Sequence, residues 1–311
     1  MKLEGIHHIT LITADAPGNV DFYTRVLGLR LVKKTVNQDD PTVYHLFYAD
    51  EQGSAGADIT FFEYPGARRG RVGAGMIYRI TWRVGSTEAL DFWEERLRAE
   101  GVGGLERDGD RLRFEDPEGM GLELAVVEAD DEPLVAEHPE IPSELALQGF
   151  DSVRAYARSP EESRRFLEEG LSFEPRGESE WEARGEQRGG LYAYDEPPAE
   201  PGVSGAGTVH HVAWASPMED HEAWRRRAME AGATPTPVID RFYFRSIYFR
   251  EPSGVLFEIA TIGPGFGVDE PLEQLGEHLS LPPAYEQLRD RLEQVLTPLP
   301  DTRRQLATGG R

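Results

Sequence analysis

The chain has 311 residues, a formal net charge of −23 and no cysteine, with 39% hydrophobic and 10% aromatic residues. That length and composition describe a folded protein with room for two ordinary domains, and the missing thiols exclude disulfides and cysteine nucleophiles. The charge excludes a nucleic-acid partner and opposes an anionic membrane surface, so it reads as a solubility device. MKLEGIHHIT carries no apolar leader, and no run approaches the ~20 apolar residues of a membrane span, which makes cytoplasm the expected location.

In chain order, IHHITLIT reads as a strand and Asp15 to Leu27 as an amphipathic helix stopped by Gly28; LRLVKKTV, TVYHLFYA and DITFFEY read as three more strands. From Gly75 to Val127 the order repeats. MIYRITWRV is the strand, Ser86 to Glu100 a helix with Ser86 or Thr87 as N-cap, and RLRFEDPEGMGLELAVV a closing hairpin. EADDEPLVAEHPEIPSE, from Glu128, is acidic and Pro-rich and reads as a linker. A third copy follows: FDSVRAYA, a capped helix over Ser159 to Gly170, and weaker strands through LYAYDE. The fourth has VHHVAWA, a helix near Met218 to Ala231, and the hairpin RFYFRSIYFREPSGVLFEIATI.

A unit of about fifty residues recurring four times is an internal repeat. The expected fold is α+β, with four βαβββ modules in two tandem domains, 1–129 and 145–262, joined by a linker at 130–144. Residues 263–311 follow as a GPGFGVDEP loop, a helix over Pro283 to Val295 and a frayed end, DTRRQLATGGR.

The chemistry gathers at two His pairs and one acid. A three-residue turn at Pro252-Ser253-Gly254 pairs Tyr248 with Glu258, which sets a carboxylate inside an apolar strand. Burying it bare is costly, and a metal ion would answer that cost. Strict alternation puts His211 with Val209 and Ala213, and His210 on the bulkier face with Val212 and Trp214, packed towards a helix. It likewise groups His8 with Ile6 and Thr10, and His7 with Ile9 and Leu11. His8, His211 and Glu258 would make a two-His, one-carboxylate set of the kind that holds non-haem Fe(II) with positions left open. His45, His138, His221 and His278 lie outside the pairs and are expected to be structural or exposed.

The βαβββ repeat resembles the vicinal oxygen chelate superfamily of glyoxalase I, bleomycin-resistance proteins and extradiol dioxygenases. GIHHITLIT, GLRLVKKTVNQDDP, YHLFYAD, VHHVAW, DRFYFRSIYFREPSG, LFEIAT and GPGFGVDE, in this order over nearly the whole chain, resemble its hydroquinone-type ring-cleaving dioxygenases. The resemblance implies Fe(II), with Mn(II) as the other candidate ion, on His8, His211 and Glu258. It implies catalytic roles for His7, Thr10, His210, Arg241 and Tyr248, with an aromatic diol and O2 as substrates; a homodimer or higher homo-oligomer is the general expectation for such a chain. Alternation by itself does not bring His7 and His210 to the site. Arg241 could instead pair with Asp240 or Glu251, and Tyr248 could be plain core. Phe266 in the GPGFG loop could close over a ring substrate. In the second module Tyr78-Arg79-Ile80-Thr81 stands where a His pair would be, although Glu123 keeps the carboxylate slot, so one metal per chain is expected. The competing readings are a glyoxalase-type isomerase, which usually needs a second carboxylate, and a metal-free binding protein.

Overall fold

The structure, a computed structural model, describes residues 1–300; the frayed end expected at 301–311 lies outside them. Each repeat folds as strand, helix and three strands. The first has β1 (Ile6–Thr13), α1 (Ala16–Asp21), β2 (Arg30–Asn37), β3 (Asp40–Ala49) and β4 (Asp58–Glu63). The second has β5 (Ile77–Val84), α2 (Thr87–Ala99), β6 (Glu106–Asp108), β7 (Arg111–Glu115) and β8 (Gly121–Val126). The third has β9 (Phe150–Tyr156), α3 (Pro160–Arg165), β10 (Glu174–Pro175), β11 (Glu180–Arg184) and β12 (Gly189–Asp195). The fourth has β13 (Val209–Ser216), α4 (His221–Glu230), β14 (Ile239–Asp240), β15 (Phe244–Arg250) and β16 (Leu256–Pro264), and α5 (Arg289–Val295) follows.

Local signals set the helix limits. The Asp15 side chain accepts from Gly18 N at the start of α1, which widens into a π turn over Phe22–Val26 before Gly28 turns away at φ 71°. Ser86 caps α2 by accepting from Ala89 N, and the helix buries Ala89, Leu90, Trp93 and Leu97 against its sheet.

The strands form two eight-stranded sheets, in the orders β14-β15-β16-β13-β1-β4-β3-β2 and β10-β11-β12-β9-β5-β8-β7-β6. The first and fourth modules therefore share one sheet, and the second and third share the other. Each half of the chain on either side of residues 130–144 gives one module to each sheet. In both sheets the modules meet through their first strands, antiparallel: β1 against β13 and β5 against β9. That junction sets His8 beside His211, 203 positions away.

Both junctions are bulged twice. Ile6 faces Trp214 and His8 faces Ala213; Thr10 faces His211 and Leu11 faces Val209, so His7 and His210 are the extra residues. In the other sheet the same offsets leave Asp151 and Tyr78 as the extra residues. Residues 130–144 are pinned by Asp131, whose buried carboxylate takes Arg83, Arg184 and Gly189 N. Beyond β16 the chain runs back across the first module. There Lys33 of β2, fully buried, bonds Phe266 O, Asp269 and Glu270, and Ser280 N donates to Lys34 O.

Candidate metal centre

The closing hairpin has the expected register, with Tyr248 opposite Glu258, Arg250 opposite Leu256, and Glu251 N bonded to Val255 O. β16 lies parallel to β13, with Glu258 beside Ala213, and Ala213 in turn faces His8. The small alanine leaves room above it for the longer side chains. Glu258 Oε2 stands 3.2 Å from His8 Nε2 and 2.8 Å from His211 Nε2, and the two nitrogens are 3.2 Å apart. All three residues are buried.

Of these contacts only the one between the two nitrogens has hydrogen-bond geometry. Both Glu258 oxygens are buried without a hydrogen-bond donor, so no N–H is aimed at them. Burial alone would raise the Glu258 carboxyl; charge on His8, and protons that His211 and His8 would present when not ligating an ion, hold it well below the usual carboxylate range. Donor atoms about 2.1 Å from one ion lie about 3.0 Å apart at right angles and about 3.4 Å apart in a tetrahedron. Separations of 2.8, 3.2 and 3.2 Å fit one face of an octahedron better, which suits a divalent cation with three positions open.

The bulges make the residue before each ligand its partner. His7 Nε2 lies 3.2 Å from Thr261 O, which only accepts, so this nitrogen carries the proton. Burial, with His8 beside it, pushes the His7 ring down to about 3, so it is neutral and its Nδ1 accepts. His8 Nδ1, 2.9 Å away, must donate to it. A neutral His8 then turns a bare Nε2 lone pair towards Glu258 and His211, as a metal ligand does. At the second pair His210 Nδ1 meets His211 Nδ1 at 2.8 Å. His210 does not pack on the helix side with Val212 and Trp214, as strict alternation predicts. As the extra residue it bonds His211 and is exposed beside Phe62, its ring 5.6 Å away, outside the pocket lining.

The donors open into a pocket that spreads from Glu258 and Tyr248 across to His45, Phe47 and Phe62. Arg241 reaches it from a tight turn in which Phe242 adopts φ 70° and its N–H is capped by Asp240 Oδ1. Its acidic partner is neither Asp240 nor Glu251. Asp39, on the β2–β3 hairpin tip, takes Nη1 at 3.0 Å and Nη2 at 2.9 Å. Arg241 Nε donates to the Tyr248 hydroxyl at 3.3 Å. Burial and Glu258 hold that phenol protonated, far above its ordinary range, leaving its proton to point elsewhere.

Two expectations fail here. Phe266 is buried against Phe47 and Tyr243 and does not line this pocket; the Lys33 anchor holds its loop on the far side of Tyr243. His45, expected to be structural or exposed, lines the pocket, with its ring between Phe47 and Phe62. No sequence pattern marks it, since it stands alone on β3. Thr10 is fully buried and bonds Thr60 Oγ1 at 2.8 Å, one residue removed from the pocket lining.

The other sheet carries the same register with different chemistry. Glu123 lies beside Thr81 as Glu258 lies beside Ala213, and Arg113 faces it as Tyr248 faces Glu258. Arg79 occupies the position of His211. Arg79, Arg111 and Arg113 surround Glu123, so guanidinium charge stands where an ion would. Burial raises the Glu123 carboxyl, but the arginines outweigh it and keep the group ionised.

Comparison with known proteins identifies the architecture. The sequence profile of the Glyoxalase/Bleomycin resistance protein/Dioxygenase superfamily matches residues 5–124 and 149–259. The chain belongs to this superfamily. Within the superfamily it is 40% identical to the “Putative ring-cleaving dioxygenase MhqA” of Bacillus subtilis, over 96% of this chain and 100% of the relative. It is 36% identical to a chlorohydroquinone/hydroquinone 1,2-dioxygenase of Sphingobium indicum, over 94% of this chain and 95% of that one. A Bacillus subtilis crystal structure described as a “putative dioxygenase” superposes with a TM-score of 0.89 at 40% identity, covering 96% of this chain and 98% of the other. Glyoxalase I from Zea mays, 14% identical with a TM-score of 0.60, shares the fold.

Proposed function

We propose that this superfamily member is a ring-cleaving dioxygenase that opens a hydroquinone-type aromatic diol with O2, using one Fe(II) held by His8, His211 and Glu258. The observation that carries this reading is the buried, donorless Glu258 carboxylate facing two imidazole nitrogens. The relatives whose names specify ring cleavage and hydroquinone support it. A bound Fe(II) would supply the redox chemistry between ring and O2 that no side chain performs; Mn(II) suits the same donors.

The chain's own residues do the rest. Phe47, Phe62 and Phe244 offer apolar walls to a flat ring. Arg241, braced by Asp39, brings a fixed positive charge to a substrate that loses hydroxyl protons. His210, pushed down to about 4 by desolvation and by His211, is neutral at pH 7; its Nδ1 accepts from His211, so its Nε2–H, like the Tyr248 phenol, has a proton to offer. His7 sets the orientation of His8, and Thr10 lies behind the pocket wall.

Glyoxalase-type isomerisation is disfavoured because the converging set holds a single carboxylate among the described residues. The test is anaerobic Fe(II) loading followed by oxygen uptake with hydroquinone. One ion per chain and uptake dependent on the diol are expected; loaded protein that consumes no oxygen with any hydroquinone or catechol refutes the proposal.

A further inference from the structure

His45 sits on β3, and β4 alone separates that strand from β1. Its donor atoms do not join those of His8, His211 and Glu258, so it is no part of the metal set. Yet its ring is held on the pocket wall with unusual care. Phe47 packs on it with a centroid distance of 3.9 Å, and Phe62, its direct cross-strand neighbour, at 4.4 Å. Its Nε2 is 2.8 Å from Thr60 Oγ1, and Thr60 Oγ1 is 2.8 Å from Thr10 Oγ1.

Proton counting gives this chain of three groups a direction. Thr10 and Thr60 are fully buried and each hydroxyl has one proton. If His45 Nε2–H donated to Thr60, Thr60 would donate to Thr10, and the Thr10 proton would have no acceptor inside the protein. The reverse arrangement satisfies both hydroxyls: Thr10 donates to Thr60, and Thr60 donates to His45 Nε2. Burial, with His8 and His211 nearby, keeps the His45 ring neutral, so its single proton then lies on Nδ1. Among the described residues Nδ1 has no hydrogen-bond partner, and the half-buried ring has the pocket on its open side.

We propose that His45 Nδ1–H binds the ring oxygen farthest from the metal set, so that the pocket selects a 1,4-diol over a monophenol or a 1,2-diol. The placement matches the chemistry. The metal donors come from β1, β13 and β16, and β3 lies two strand spacings, about 10 Å of backbone, from β1. An oxygen para to the one at the metal end is the one a ring would carry towards β3. Adjacent oxygens of a 1,2-diol would both lie at the metal end and leave Nδ1–H without an acceptor. This inference rests on the dioxygenase reading for the identity of the ring, but its test is one of binding alone.

Mn(II)-loaded protein is titrated anaerobically with hydroquinone and with phenol by calorimetry. Wild type is expected to bind hydroquinone about tenfold more tightly than phenol. His45→Phe, which keeps the aromatic packing, is expected to abolish that ratio by weakening hydroquinone only, with metal content unchanged. Thr60→Val, which frees the tautomer, is expected to narrow the ratio. A wild type that binds both ligands alike, or a His45→Phe variant that keeps the ratio or weakens both equally, overturns the inference, whether or not oxygen is consumed.

Discussion

His7→Phe separates the metal centre's geometry from its ligands. The His7 ring contacts Phe244 edge-on at 5.3 Å, so a phenyl ring keeps the packing while removing the acceptor for His8 Nδ1 and the donor to Thr261 O. His8 then has two choices. Either Nδ1–H stays buried without an acceptor, which costs about 1–3 kcal/mol, or the ring changes tautomer and puts its proton on Nε2, against the ion. Both act on the metal-bound state. Loss of such an orienting partner typically weakens metal affinity about 10- to 100-fold, or about 1.4–2.8 kcal/mol, in line with the first estimate. Anaerobic Mn(II) titration by calorimetry reads the change, and far-UV circular dichroism checks that the variant is folded. A folded variant that binds within about twofold of wild type would refute the tautomer argument.

Tyr248→Phe removes a proton held by burial and Glu258, and should lower turnover about a hundredfold with metal content intact; unchanged turnover removes the phenol from the chemistry. Lys33→Met leaves Asp269 and Glu270 facing an apolar side chain, and should cost about 3 kcal/mol in urea unfolding and open residues 264–281 to protease; a resistant variant of equal stability would show that the ion pairs are dispensable. In ion-free protein, stability should fall on acidification. The His7 pKa is lowered to about 3 in the fold, so below pH 6.5 the unfolded chain takes up a proton that the folded chain refuses. The His7 contribution is complete above pH 6.5, down by about 2 kcal/mol at pH 5, and lost progressively towards pH 3. His7→Phe should flatten that slope by the same amount, and equal slopes would contradict the assignment.

The amino-acid pattern alone determined the repeated strand-helix-strand unit, the helix starts near Asp15 and Ser86, and the hairpin register that pairs Tyr248 with Glu258. Those features follow from neighbours along the chain, where turn length and side-chain alternation act directly on the backbone. Alternation also singled out His8, His211 and Glu258, whose donor atoms converge in the fold. Tertiary structure decided the rest. Which modules share a sheet depends on which first strands pair, and nothing local distinguishes β13 from β5 as the partner of β1. The bulges at His7 and His210 exist only in that pairing, because an extra residue is extra relative to its partner strand. Asp39 meets Arg241 across 202 positions, and His45 enters the pocket because β3 pairs with β4, which in turn pairs with β1. Contacts of this kind are chosen by the packing of whole modules, and no window of sequence contains them.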